Sequence, residues 1–170
     1  MKRGGWAIAA TTAAGLALWA SLIHPAPKLL WNATASVPIG LYGVGRARPL
    51  RVGELVIVAP PARLARFFAH RDYLAFSVPL VKHILALPGA RVCREGRVIT
   101  VNGAAMGKAL DRDRFGRPLP AWQGCRVLEP GRVFLMNRKP RDSLDGRYFG
   151  PLPATTIVGR AHPIWTFPRS

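Results

Sequence analysis

One stretch limits what this chain can become more than any other. Lys2 and Arg3 are followed by Gly4 to Ile23, twenty residues without a charge. As a helix rising about 1.5 Å per residue, the run reaches roughly 30 Å, the depth of a bilayer core. The basic flank would stay cytoplasmic and send residues after His24 outward. Trp6 and Trp19 fall near the two ends, where interfacial aromatics sit. The run is rich in alanine, so a cleavable signal peptide is the rival reading. Both readings export the remainder of the chain. The expectation is an N-terminal membrane anchor or signal-like segment over 1–24 and an exported domain over 25–170.

That domain reads as strand-rich. Seventeen glycines and sixteen prolines cut the chain into short pieces, which favours turns and strands over a helical bundle. "HPAPKLLWNA" reads as a linker, because its prolines oppose helix. "IGLYGV", "ELVIVAP", "VPLVKHILALPG", "GRVFLMN" and "TTIVGRAHPIW" read as strands. "RVCREGRVITVNG" predicts a hairpin turning at Glu95 and Gly96. Leu64, Phe67 and Phe68 are spaced for one face of a short amphipathic helix that opens at Pro61. Residues 104–124 read as a long loop of glycine, proline and charge. The fold expected is mainly β with one small helix.

Composition bounds the partners. Apolar residues make up 49% of the chain, enough to bury a core. The net charge of +17 suits attraction to anionic lipid or nucleic acid. However, the basic residues form no dense run, and neither zinc-finger spacing nor an aromatic RNA-binding pattern accompanies them. No specific nucleic-acid binding is expected. Cys93 and Cys125 can form one disulfide in an oxidising compartment, closing a loop of about thirty residues and adding about 3 kcal/mol. The alternative is two buried free thiols.

Several catalytic signatures are missing: H-E-x-x-H, G-x-S-x-G, a P-loop and S-x-x-K. The four histidines are scattered, so no metal and no cofactor is expected, and His83 is the best candidate for a histidine-based triad. Lys82 is the unusual residue. Strand alternation puts it on a face with Val78, Leu80, Ile84 and Ala86. A lysine there must snorkel, pair or lose its charge. Burial lowers an amine's pKa from about 10.4, and a neutral amine can act as a general base. The plainer reading packs its stem and leaves its ammonium in water at the sheet edge. Ser36, two residues before Pro38, could pair with it as a nucleophile, or simply be a turn residue. Tyr42, between Gly40 and Gly43, reads as exposed. Ser143, Asp145 and Arg147 alternate, so an extended segment would put them on one face. The plainer reading there is a surface salt bridge between Asp145 and Arg147.

Four stretches then combine. "TASVPIGLY" resembles the nucleophile box S-x-P-x-G-x-Y, and "GELVIVAP" resembles the strand box after it. "KHILALPG" resembles the lysine box K-R-x-x-x-L-P-G, with His83 in place of arginine. "SLDGRYFG" resembles S-x-D-S-R-Y-F-G, with Gly146 in place of serine. Asn137 lacks the G-D-N context common before that third box. Together these resemble the serine-lysine signal peptidase superfamily, and within it the TraF type of conjugative-transfer peptidase. The resemblance implies a β core with a small second β-subdomain, placed here at 90–128. It implies Ser36 as nucleophile and Lys82 as general base. Thr34 would assist the Ser36 N–H in the oxyanion hole. Ser143 would orient the lysine, and Asp145 with Arg147 would support it. Gly146 would cost a hydrogen bond and loosen the Asp145 loop. Gly40 and Gly43 would leave room for an extended peptide.

The activity implied is that of an endopeptidase in the inner (cytoplasmic) membrane, with its catalytic domain in the periplasm. Its substrate would be a pilin precursor, hydrolysed or cyclised through the acyl-enzyme, and other conjugative-transfer components would be partners. Two alternatives remain: a general type I signal peptidase acting on many exported proteins, and a non-catalytic membrane-tethered component of a transfer apparatus.

Overall fold

A computed structural model describes residue 6 and residues 10–16, 28–76 and 78–167. Residues 10–16 are helical. No helix among the described residues is long and apolar enough to cross a membrane. The rest of the expected anchor, Trp19 included, lies outside the described residues.

Eleven strands are described, in two antiparallel sheets. The larger sheet holds β1 (Leu29–Asn32), β2 (Gly40–Gly45), β11 (Ile157–Thr166), β3 (Leu55–Val58), β4 (Leu80–Ala86), β9 (Arg132–Leu135) and β10 (Leu152–Pro153), in that spatial order. The smaller holds β7 (Ala104–Lys108), β6 (Val98–Val101), β5 (Arg91–Glu95) and β8 (Gly124–Val127). Helix α1 spans Ala62–His70, and a single turn, α2, spans Gly146–Phe149.

The core follows from strand alternation. On β3, Val56 and Val58 face one hydrophobic cluster and Ile57 faces another, so the continuous apolar run reflects burial on both sides. Helix α1 closes the first cluster with Leu64 and Phe68, one turn apart, against Val56, Leu80, Ile84 and Leu135. Phe68 is fully buried and is worth about 2–3 kcal/mol in transfer terms. Val92 and Ile99 of the smaller sheet, with Leu128 just after β8, pack with Ala86 and Phe134 of the larger and Met136 just after β9, so apolar packing runs from one sheet into the other.

Four sequence expectations need correction. Residues 104–108 are strand β7, not loop. Asn102 and Gly103 both have positive φ, 49° and 83°, the two-residue turn that an Asn-Gly pair favours. That turn folds β7 onto β6 although its own residues are only weakly apolar. Residues Leu29–Asn32 are not linker but pair with β2, because the prolines at 25 and 27 stop short of them. Tyr42 is buried, and its hydroxyl donates to Pro38 O at 2.6 Å. The expected hairpin forms, but its turn is Gly96 and Arg97, one residue later than expected, with Glu95 paired to Val98 in the ladder.

Candidate active site

Ser36 sits half-buried in the turn between β1 and β2. One side chain holds that turn. Asn32, buried at the end of β1, donates through Nδ2 to the carbonyls of Thr34 (2.8 Å), Val37 (3.3 Å) and Pro38 (3.1 Å). Its Oδ1 accepts from Thr34 N (3.2 Å) and Thr34 Oγ1 (2.8 Å). Three acceptors around the nitrogen settle which way the amide points. Val37 is buried against Tyr42, Ile57 and Val81, which anchors the turn from below. Thr34 Oγ1 lies 3.2 Å from Ser36 Oγ. The single Thr34 hydroxyl proton goes to Asn32, so Ser36 is the donor in that contact.

The first glycine after Ser36 serves the sheet. A side chain at Gly40 would strike the backbone of Trp165 and Thr166 on β11, and its φ is +151°. One at Gly43 would make only ordinary contact with Ile164. The missing side chain of Gly40 admits the neighbouring strand, so for Gly40 the expectation that it leaves room for an extended peptide is corrected.

Lys82 lies mid-strand on β4, opposite Val56 and 4% exposed. Its ammonium is not at a wet edge. Nζ donates to Ser143 Oγ at 2.9 Å, a neutral partner that is itself buried. The Lys82 pKa falls from 10.5 to about 8: burial is the main cause and Arg147 adds to it, against the opposing pull of Asp145 and Asp142. No hydrogen bond joins Lys82 to Ser36 among the described residues.

Asp145 and Arg147 form a buried pair, correcting the surface salt-bridge reading: both side chains are almost wholly enclosed. Nor is the segment extended. Asp145 caps α2, and its Oδ1 accepts from Arg147 N at 3.1 Å. The guanidinium donates to both carboxylate oxygens, through Nε at 2.9 Å and Nη2 at 2.8 Å. Nη2 also reaches the carbonyls of Asn137 and Pro140, each at 2.8 Å. Burial acts to lower the Arg147 pKa, but the bonds and charge of Asp145 outweigh it and hold the group above its usual value. Gly146 does not loosen this loop. A Cβ there would lie 2.7 Å from Leu135 O and 2.7 Å from the Phe134 ring, so a serine would force the backbone or the ring to shift, and glycine packs here without strain.

The smaller sheet buttresses the turn. Arg94 on β5 donates to Arg147 O, and Trp122 Nε1 donates to Gly146 O at 2.9 Å. Cys93 and Cys125, directly opposed on β5 and β8, form a disulfide. It ties the otherwise exposed strand β8 to the sheet next to Trp122.

A cleft of about 370 Å³ brings Thr34, Ser36, Lys82 and Ser143 together on its walls. Asp145 and Arg147 lie behind it, buried, and the cysteines stand apart on the smaller sheet. His83 does not line this cleft. Its N–H and Nδ1 both bond Asn137 Oδ1, at 3.0 and 2.9 Å. Asn137 also bonds Val81 O through Nδ2 and Asp145 Oδ2 through its backbone N–H. Asn137 therefore couples the lysine strand to the Asp145 turn. Sequence reasoning assigned no role to Asn32 or to this bridging by Asn137. The available signal was an asparagine closing an apolar run, in "LLWN" and in "VFLMN".

The family model "Signal peptidase, peptidase S26" matches residues 1–166, and the chain belongs to that family. Within it the relatives are of the TraF type. "Conjugal transfer protein TraF" of Agrobacterium fabrum is 36% identical over 80% of this chain and 81% of its own length. "Plasmid transfer protein TraF" of Escherichia coli is 31% identical over 80% of this chain and 82% of its own. A solved signal peptidase I from Enterococcus faecalis is 16% identical, with a TM-score of 0.41, over 66% of this chain and 97% of that one.

Proposed function

We propose that this chain is a membrane-tethered serine endopeptidase in which Ser36 is the nucleophile and Lys82 the general base. The observation that carries the reading is Lys82: a buried amine with one neutral hydrogen-bond partner and a pKa lowered to about 8, sharing a cleft with a serine hydroxyl. A fold retains so costly a group where its neutral form has a use.

In the proposed reaction Lys82 Nζ takes the Ser36 proton as Oγ attacks a peptide carbonyl. The Ser36 N–H, with Thr34 turned from its Asn32 bond, stabilises the oxyanion. Lys82 then gives the proton to the departing amine, and the peptide C–N bond breaks to leave a serine ester. Water, or an amine of the same substrate, attacks that ester through Lys82. Ser143 fixes the Nζ position, and the Asp145–Arg147 turn fixes Ser143.

The substrate would be a pilin precursor at the outer face of the cytoplasmic membrane, with other conjugative-transfer components as partners. Relatives named for conjugal and plasmid transfer favour this over a general signal peptidase. The test is the intact mass of the precursor after incubation with wild-type protein and with Ser36→Ala. Wild type should remove a peptide, and the loss of one further water would mark cyclisation. Normal processing by Ser36→Ala would refute the mechanism. Altered maturation of many unrelated exported proteins would favour the general peptidase. Tight, salt-sensitive DNA binding without cleavage would favour the non-catalytic reading.

A further inference from the structure

Ser36 borders a second cavity, of about 700 Å³, on the far side of its turn. This space is large enough for a short peptide. Its apolar lining includes Ile84, Met106 and Met136, and its polar lining includes Arg138, Lys139 and His83. Arg138 and Lys139 are exposed. The His83 ring donates Nδ1–H to Asn137 Oδ1, which leaves Nε2 as its remaining polar atom. No carboxylate among the described residues lines this cavity, whereas Asp113 and Asp142 line the cleft that contains Lys82. In the Lys82 cleft cations and carboxylates stand together, with Asp113 bonded to Arg117 and Asp142 acting on Lys82, whereas Arg138 and Lys139 share their cavity with no carboxylate of the described residues.

We propose that this cavity is the subsite for the departing side of the substrate, and that Arg138 and Lys139 select a carboxylate within a few residues after the scissile bond. The inference rests on the peptidase reading above. An extended peptide crossing Ser36 enters one cavity on each side of the attacked carbonyl. The side lined by the base Lys82 receives the acyl portion. The opposite side receives the segment that leaves as an amine. Small apolar side chains of that segment meet the methionines, and an anionic group meets the two cations at the rim. That group is either a chain-terminal carboxylate or an Asp or Glu side chain.

The test uses the full chain carrying Ser36→Ala, so that binding is read without turnover. Three acetylated tetra-alanine-type probes are titrated: one with a free C-terminal carboxylate, one amidated, and one amidated with an internal Glu. The readout is the methyl NMR signals of Met106 and Met136. The free acid should shift both signals and bind about five-fold more tightly than the plain amide. If the Glu amide matches the free acid, the site reads any carboxylate; if it matches the plain amide, the site reads the chain terminus. Arg138→Glu with Lys139→Glu should erase the preference. Arg63→Glu with Arg66→Glu, on an exposed face of α1, changes net charge equally and should keep it. Equal binding of acid and amide, no binding by any probe, or a preference that survives at Arg138 and Lys139 would overturn the proposal. Cleavage by wild type alongside any of these results would leave the peptidase reading intact. Carboxylate selection by a chain that cleaves nothing would do the reverse.

Discussion

Arg147 and Lys82 are buried cations with 1% and 4% exposure, and the molecule treats them in opposite ways. Arg147 faces a carboxylate that it bonds twice, along with backbone carbonyls, and it is held above its usual pKa. Lys82 has one hydroxyl partner, and its pKa falls to about 8. Both feel Asp145, but only Arg147 touches it. A buried charge with all its bonds made is structure. A buried charge denied them readily gives up its proton, which is reactivity. The two also connect, because the Arg147 turn carries Ser143 and thereby sets where the Lys82 amine points.

Replacing each cation by an apolar residue of similar length breaks this comparison open. Lys82→Met should lower precursor processing about ten-thousand-fold, as loss of a base in a nucleophile pair does. The same variant should be more stable than wild type at pH 7. The native pKa of about 8 lies below the ordinary 10.5, so between those values the unfolded chain keeps a proton that the folded chain has released. Wild-type stability therefore rises from pH 8 to pH 10.5, and below pH 8 it is lower by roughly 3 kcal/mol. Urea unfolding of both proteins at pH 7 and pH 10 reads this, and the advantage of Lys82→Met should shrink as pH rises.

Arg147→Met should do the opposite. It strands the Asp145 carboxylate and should cost about 3–5 kcal/mol of stability, seen in the same unfolding experiment. If both variants gain stability, the two cations are not different in kind. Gly146→Ser tests the tight packing beside Asp145 and should cost about 2 kcal/mol; an unchanged midpoint would mean the loop has room after all. Thr34→Val should have the smallest effect, slowing processing about tenfold and lowering stability by about 1 kcal/mol through the lost bond to Asn32. It removes the hydroxyl that lies 3.2 Å from Ser36 Oγ.

Legibility in the sequence tracked the physics of each element. The apolar runs at 55–58 and 80–86 and the β5–β6 hairpin, to within one residue of its turn, could be read directly, because period and turn chemistry are local. Strand β7 was missed because pairing with β6, through the Asn102–Gly103 turn, outweighs its weak composition. Lys82 stood out because a charge on an apolar strand violates the local pattern. The burial of Asp145 with Arg147 could not be read, since alternation suits an extended segment and the residues form a capped turn. The work of Asn32 was equally hidden. Its five bonds, four to backbone atoms and one to the Thr34 hydroxyl, reach positions up to six residues away, and composition says nothing about that convergence.

The most direct test of the Lys82 account is the pH dependence of kcat/KM for precursor cleavage between pH 6 and pH 10. With Lys82 as the base, the rate should climb about tenfold per pH unit and level off with an apparent pKa of about 8. A flat profile, or one whose rise ends near the ordinary histidine value of about 6.5, would contradict it.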